Sequence, residues 1–194
     1  MIKEIIRLRE IAKANGEPVL RDKSFELLLC TVREEKPKKI LEIGVNLGLS
    51  GIAMLLTHDK ANLTGIEIDE EKIALAKENY KKFGVYGRAK IFQGDASEII
   101  PVLTGEYDFI FLDGPKGHYY EYLPHLLSVL KVGGTLFADN VLFRGYVFNE
   151  NTPHRFNTTK HSMENFITAI TNDKSLHTQL YQIEDGVSIT KKLK

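Results

Sequence analysis

The sequence has little cysteine, no tryptophan, no net charge and no long apolar run, and each shortage closes off a class of function. A single cysteine, Cys30, cannot form an internal disulfide, so the 194-residue chain is no disulfide scaffold. Lys+Arg 26 balance Asp+Glu 26, so no global basic field announces a nucleic-acid or membrane partner, and any such contact has to come from a local patch. The N-terminus, Met1-Ile2-Lys3-Glu4-Ile5-Ile6-Arg7, interleaves charge with apolar residues. It offers neither a signal peptide nor a membrane-spanning segment, and the expected compartment is the cytoplasm. No repeat, low-complexity tract or Ser/Gly-rich linker marks a second domain, so residues 1–194 read as one domain. Also absent are the G-x-G-x-x-G of dinucleotide sites and the G-x-x-x-x-G-K-[ST] of phosphate loops.

What is present is an alternation of helices and strands. Helical spacing covers Ile2 to Ala14 and Asp22 to Glu35, and Pro37 closes the second because proline disfavours helix in the residue before it. Cys30 ends the apolar run that starts at Phe25 and reads as a small buried hydrophobe, not a catalytic thiol. Lys39 to Ile43 is a short apolar strand ending at Gly44, and Ser50 to His58 returns to helix. A second strand, Leu63 to Ile68, leads to Asp69, the expected N-cap of a helix over Glu70 to Phe83, with Gly84 as its C-cap. A third strand (Arg88 to Gln93), a short helix (Ser97 to Leu103) and a fourth strand (Tyr107 to Asp113) follow, the last apolar enough to be buried on both faces. Tyr119 to Leu130 is helical and Gly134 to Asp139 a fifth strand. Thr178 to Ile183 and Val187 to Thr190 form a hairpin about Asp185-Gly186. The stretch from Arg144 through Arg155 to Lys160, with His154 and His161, reads as a basic loop, either solvated surface or a contact for an anionic substrate.

Such an alternation specifies an α/β fold with a doubly wound, mostly parallel sheet, whose ligands bind beyond the carboxyl ends of the strands. The residues there are Glu42, Glu67, Asp95, Asp113, Asp139 and Asn140. Any one of them could be an ordinary turn or cap residue; all of them on one sheet edge make a site. The first turn, Glu42-Ile43-Gly44-Val45-Asn46-Leu47-Gly48, is glycine-rich, but Glu42 repels a pyrophosphate. That argues against a nicotinamide oxidoreductase and for a ligand carrying positive charge. Glu67 stands about 20 residues on, where a carboxylate reaches a ribose diol. S-adenosylmethionine, with an adenosine, no phosphate, an ammonium and a sulfonium, fits both features.

On these residues the sequence resembles the small metal-dependent O-methyltransferases that include catechol O-methyltransferase, from Glu17 to the C-terminus. The acidic glycine loop is matched by Glu42, Gly44 and Gly48, the ribose acid by Glu67, and the adenine-side Gly-Asp-Ala by Gly94-Asp95-Ala96. The metal aspartate with a lysine three residues later is matched by Asp113 and Lys116, and the Asp-Asn pair by Asp139-Asn140. The resemblance implies a class I, Rossmann-like fold with a seven-stranded sheet and an antiparallel C-terminal hairpin. It further implies S-adenosylmethionine bound by Glu42, Gly44, Gly48, Glu67, Gly94, Asp95, Ala96 and Asp113, and Mg2+ or another divalent cation bound by Asp113, Asp139 and Asn140. It implies a homodimer as well, with which the apolar face of Ile2 to Ile11 is compatible. Departures are a shorter N-terminal segment than in many relatives, Pro115 where the catechol enzyme has a tryptophan beside adenine, and no carboxylate in His177 to Tyr181, which disfavours catechol itself.

Methyl transfer from a sulfonium is an in-line displacement that needs an oxyanion held close to the methyl carbon. Two carboxylates and a carboxamide make an all-oxygen site for a hard cation, which lowers the pKa of a bound hydroxyl. Lys116, beside that cation, is the expected general base; His118, at a helix start, reads as a surface or capping residue. Tyr119, Tyr120 and Tyr122 read as packing residues, and Phe143 as either core or substrate platform. For the acceptor, Lys38 to Gly44, Asp139 to Gly145 and Asp185-Gly186 resemble bacterial enzymes that methylate 5-hydroxyuridine in the tRNA anticodon loop. That base presents its hydroxyl and O4 as a vicinal pair, much as a catechol does, and phosphate contacts would come from Arg144, Arg155, Lys160, Lys191, Lys192 and Lys194. A small vicinal-dihydroxy aromatic is the alternative acceptor. A non-catalytic cofactor-binding protein is the alternative of another class, against which the joint presence of Asp113, Lys116, Asp139 and Asn140 speaks.

Overall fold

The computed structural model describes residues 2–194, without the side chain of Ile2. Met1, and the Ile2 side chain counted in the apolar face of the first helix, lie outside the described residues. Seven strands form a sheet in the order β3-β2-β1-β4-β5-β7-β6, and the chain divides into two compact units, one ending at Ala96 and one running from Ser97 to Lys194.

The first unit alternates α1 (Ile2–Ala14), α2 (Asp22–Glu35), β1 (Lys39–Ile43), α3 (Leu49–Thr57), β2 (Asn62–Glu67), α4 (Glu70–Lys82) and β3 (Ala89–Gln93). Its strands are parallel, with Ile43 level with Ile66 and Glu67 level with Gln93. Both faces of β1 are buried, Ile40, Leu41 and Ile43 being fully covered, as parallel strands under helices require. The Asp69 carboxylate accepts from the amides of Glu71 and Lys72, the N-cap expected of it. Cys30 is exposed, contrary to expectation: α2 buries Phe25, Leu28, Leu29 and Val32, and Cys30 falls off the stripe that these residues form at helical spacing.

A short α5 (Ala96–Ile99) leads into the second unit, which contains β4 (Tyr107–Leu112), α6 (Tyr119–Val129), β5 (Leu130–Asp139), α7 (Asn157–Asn172), β6 (Leu176–Tyr181) and β7 (Val187–Lys192). β4 and β5 are parallel, and β7 runs antiparallel between β5 and β6. Phe137 meets Phe109 and Phe111 with ring centroids 6.4 and 5.7 Å apart. Four differences from the sequence reading go beyond shifts of one or two residues at a single end or of one residue along the chain. α5 gives way at Ile100 to a 3-10 turn containing Pro101, β5 starts at Leu130 because the ladder with β4 resumes across an irregularity after Tyr107, and β6 lies two residues earlier. The supposed loop through Lys160 becomes helical at Asn157, since Met163, Phe166, Ile167 and Ile170 form a buried stripe at helical spacing. Among the described residues no helix is long and apolar enough to cross a membrane.

Candidate active site

In the first unit the turn after β1 is shaped by left-handed residues: Gly44 at φ 89°, Asn46 at 49° and Gly48 at 74°. The Gly44 amide donates to the Ile66 carbonyl at 3.0 Å, which pins the turn to the end of β2. A side chain at Gly48 would stand 2.7 Å from the Tyr80 ring, so the close approach needs glycine there. Glu67 is held by three amides. Its Oε2 accepts from Asn46 at 2.8 Å, and its Oε1 from Ile68 at 3.0 Å and Asp69 at 3.1 Å. The carboxylate is thereby fixed across the mouth of the glycine turn with lone pairs left for further donors. Asn46 is a contributor that sequence reasoning passed over; an asparagine between two glycines, tolerant of the left-handed region, was the available signal.

Glu42 is fully buried beneath this turn. The absent side chain of Gly51 makes room for it, because a Cβ there would lie 2.7 Å from Glu42 Oε2 and 3.0 Å from the Tyr80 hydroxyl. Burial, and then the negative charge of Glu42, push the Tyr80 hydroxyl well above its ordinary 10.0, so it stays neutral. Gly94, at φ 149°, donates its amide to the Glu67 carbonyl at 2.9 Å and brings the end of β3 beside that of β2. Asp95 beyond it is exposed and Ala96 half-buried.

In the second unit the register that sets Leu112 level with Ala138 places Asp113 and Asp139 side by side at the ends of β4 and β5. Lys116 Nζ donates to Asp113 Oδ1 at 2.9 Å, with both side chains about a quarter exposed (23% and 26%). Asp139 is buried, and Asn140 follows at φ 57°. Beneath them Tyr119, fully buried, shares its one hydroxyl proton between the carbonyls of Leu112 at 3.0 Å and Asp139 at 3.2 Å, bracing the two strand ends. Burial, then the charges of Asp113 and Asp139, push this hydroxyl well above 10.0. Tyr119 is thus more than the packing residue its helical spacing implies. His118 turns to Glu121 at 2.9 Å and stacks on Tyr122, a surface role as expected.

No group of three His, Cys, Asp or Glu side chains able to hold a metal occurs among the described residues. A cation here would need an oxygen from another residue type as a third protein ligand, and Asn140, next to Asp139, is the candidate. Asp113, Asp139 and Asn140 offer oxygen donors, two of them carboxylates; this donor set fits a hard divalent cation that keeps places for water and acceptor oxygens.

After Asn140 the backbone is left-handed at Phe143 (φ 45°), Arg144 (57°) and Gly145 (74°), a conformation that costs roughly 1–2 kcal/mol for each residue bearing a side chain. Phe143, Tyr146 and Phe156 pack ring to ring with centroids 5.2–5.8 Å apart, and the guanidinium groups of Arg155 and Arg144 lie 4.8 and 5.9 Å from the Phe156 ring. Both arginines are exposed. Two lysines expected to meet phosphate are committed elsewhere: Lys160 to the Asn149 carbonyl and Glu164, and Lys192 to the carbonyls of Leu127 and Leu130. In each case the long stem lays its Nζ against a main-chain carbonyl distant in sequence, which the sequence could not show.

The family model for O-methyltransferases matches residues 8–193 of this chain. A caffeoyl-CoA O-methyltransferase of Stellaria longipes is 32% identical over 160 residues, which cover 75% of this chain and 65% of that protein, just under two thirds of its length. Among solved structures, a Staphylococcus aureus protein provisionally described as a caffeoyl-CoA O-methyltransferase superposes with a TM-score of 0.88 at 27% identity, covering 97% of this chain and 91% of its own. A Podospora anserina methyltransferase bound to S-adenosylhomocysteine gives 0.79 at 28% identity, with 90% and 80% covered. With the family model spanning almost every residue, and with the glycine turn, the fixed acid of β2 and the paired aspartates all in its frame, the chain belongs to the S-adenosylmethionine-dependent O-methyltransferase family.

Proposed function

We propose that this protein moves a methyl group from S-adenosylmethionine to a hydroxyl flanked by a second oxygen, with Mg2+ or a similar divalent cation at Asp113, Asp139 and Asn140. The observation that carries the reading is the pair of aspartates at neighbouring strand ends with Lys116 Nζ 2.9 Å from one of them. A divalent cation there supplies charge that favours the oxyanion form of the acceptor. Glu67 orients the ribose of the cofactor, and Glu42, Gly44, Gly48, Gly94, Asp95 and Ala96 border the rest of the nucleoside and the amino-acid end. Lys116, entering as the free amine, takes the hydroxyl proton on the Nζ lone pair, the oxygen forms its bond to the methyl carbon as the carbon–sulfur bond breaks, and the sulfonium leaves as a neutral thioether. The family model spans residues 8–193 as one unit of sequence, which supports the reading of a single catalytic domain. Ile6 and Ile11 on α1, each 46% exposed, support a homodimer.

For the acceptor we infer 5-hydroxyuridine in tRNA, supported by the exposed Arg144 and Arg155 around the aromatic trio. A loop nucleotide is accessible and turns into a pocket at small cost. The second reading, a small catechol-like phenol, is favoured by the commitment of Lys160 and Lys192 to carbonyls, which takes two of the six candidate cations away from phosphate. Nucleoside mass spectrometry on hydroxylated tRNA separates the two. Conversion of 5-hydroxyuridine to 5-methoxyuridine, falling steeply with added salt as counterion release requires, supports tRNA. Turnover of a catecholic phenol that ignores salt, without any tRNA conversion, refutes it.

A further inference from the structure

The strained turn at Phe143 to Gly145 is fastened to the corner between β6 and β7, and Asp185 makes the fastening. The amides of Val141 and Leu142 donate to the carbonyls of Gly186 at 3.0 Å and Asp185 at 2.9 Å, extending the pairing of β5 with β7 beyond Asp139 and Val187. Two residues further, the Arg144 amide donates to the Asp185 carboxylate. Asp185 is only 9% exposed although it lies in a turn. Gly186, at φ 80°, seats the corner against Leu142, where a Cβ would come within 2.3 Å of that side chain. Main-chain bonds tie the segment to the β6–β7 corner as far as Leu142 and close the turn internally, Tyr146 donating to the Phe143 carbonyl at 3.0 Å and Val147 to the Leu142 carbonyl at 3.3 Å; the Asp185 carboxylate is the corner's link to the left-handed residue Arg144. Asn140 stands at the near end of this same segment, with its carbonyl accepting from Phe143 at 3.1 Å.

We propose that Asp185 is a positioning residue: its carboxylate holds the left-handed turn at Phe143 to Gly145, and through it the Asn140 carboxamide in its cation-binding pose and Arg144 at the acceptor side. The second half of this statement rests on the divalent-cation reading above; the first does not. Two readouts keep them apart. Amide exchange, followed residue by residue by NMR, reports the turn without any metal. Mn2+ alone, titrated and followed by electron paramagnetic resonance, reports the ligand set.

In Asp185→Ala the Arg144 amide should exchange at least about tenfold faster while those of Val141 and Leu142, held by main-chain carbonyls, stay protected. Mn2+ affinity should fall about 10- to 100-fold, the usual effect of losing a group that orients a ligand, with S-adenosylmethionine affinity unchanged. Asp185→Asn keeps an acceptor and should restore most of both, and it decides the matter if the alanine variant does not fold. Adding Arg144→Gly to Asp185→Ala removes strain at one left-handed residue and should recover part of the Mn2+ affinity. Wild-type exchange at Arg144 in Asp185→Ala, or equal loss in the asparagine and alanine variants, overturns the proposal. If the wild-type protein binds no Mn2+, the cation reading and the second half of the proposal fall together, and Arg144 exchange alone decides the first half.

Discussion

The carboxylate of Glu67 is held by three amides before any ligand arrives, so its replacement tests whether preorganised charge binds the cofactor. A ribose diol would add two hydrogen bonds to this anion, each worth about 1.5–3 kcal/mol when one partner is charged. Partial exposure lets water recover some of that. Glu67→Ala should therefore weaken S-adenosylmethionine binding by about 3 kcal/mol, or roughly a hundredfold. The informative variant is Glu67→Gln. Its single oxygen can serve either the Asn46 amide or the pair from Ile68 and Asp69, and its NH2 then faces N–H donors that it cannot accept from. The glutamine should accordingly bind within about threefold of the alanine variant, although it has nearly the shape of glutamate. Isothermal titration calorimetry with S-adenosylmethionine and S-adenosylhomocysteine measures all three proteins. Wild-type affinity in Glu67→Gln, or tight NAD binding by the wild type, would refute the assignment.

On the proposed reading, in which its carboxylate serves the acceptor side and not the nucleoside, Asp139→Ala should keep S-adenosylmethionine affinity within about twofold while abolishing methyl transfer; calorimetry and turnover on one preparation check this. Tyr119→Phe removes a buried hydroxyl shared by two carbonyls and leaves both short of a donor, a loss of about 1–3 kcal/mol and so roughly 2–10 °C in thermal midpoint for a chain of this size, readable by calorimetric melting. Tyr80 and Tyr119 have folded-state pKa values above the unfolded 10.0, so their contribution to stability is fully present below about pH 10 and is lost as pH rises further. Ultraviolet titration should show Tyr80 and Tyr119 resisting ionisation until the protein unfolds.

The placement of the candidate residues was largely legible because it rests on local rules. The alternation of apolar runs with helical segments puts Glu42, Glu67, Asp113, Asp139 and Asn140 at strand ends, and strand ends in an α/β sheet are where ligands bind. Asp69 capped its helix because capping depends on three neighbouring residues. The roles that stayed hidden depend on contacts distant in sequence. Asp185 reaches the Arg144 amide across 41 residues, and Tyr119 reaches the Asp139 carbonyl across 20. α7 was missed because its first turn, Asn157-Thr158-Thr159-Lys160, is polar, and its apolar stripe begins only at Met163. Cys30 misled because local hydrophobicity does not say which side of a helix meets the core.

The most direct test of the central claim is methyl transfer from labelled S-adenosylmethionine to a vicinal oxygen pair by exhaustively chelated protein, before and after adding Mg2+. The predicted result is no transfer before addition, recovery afterwards in the wild type, and no recovery in Asp139→Ala. Full transfer by the chelated wild type would contradict it.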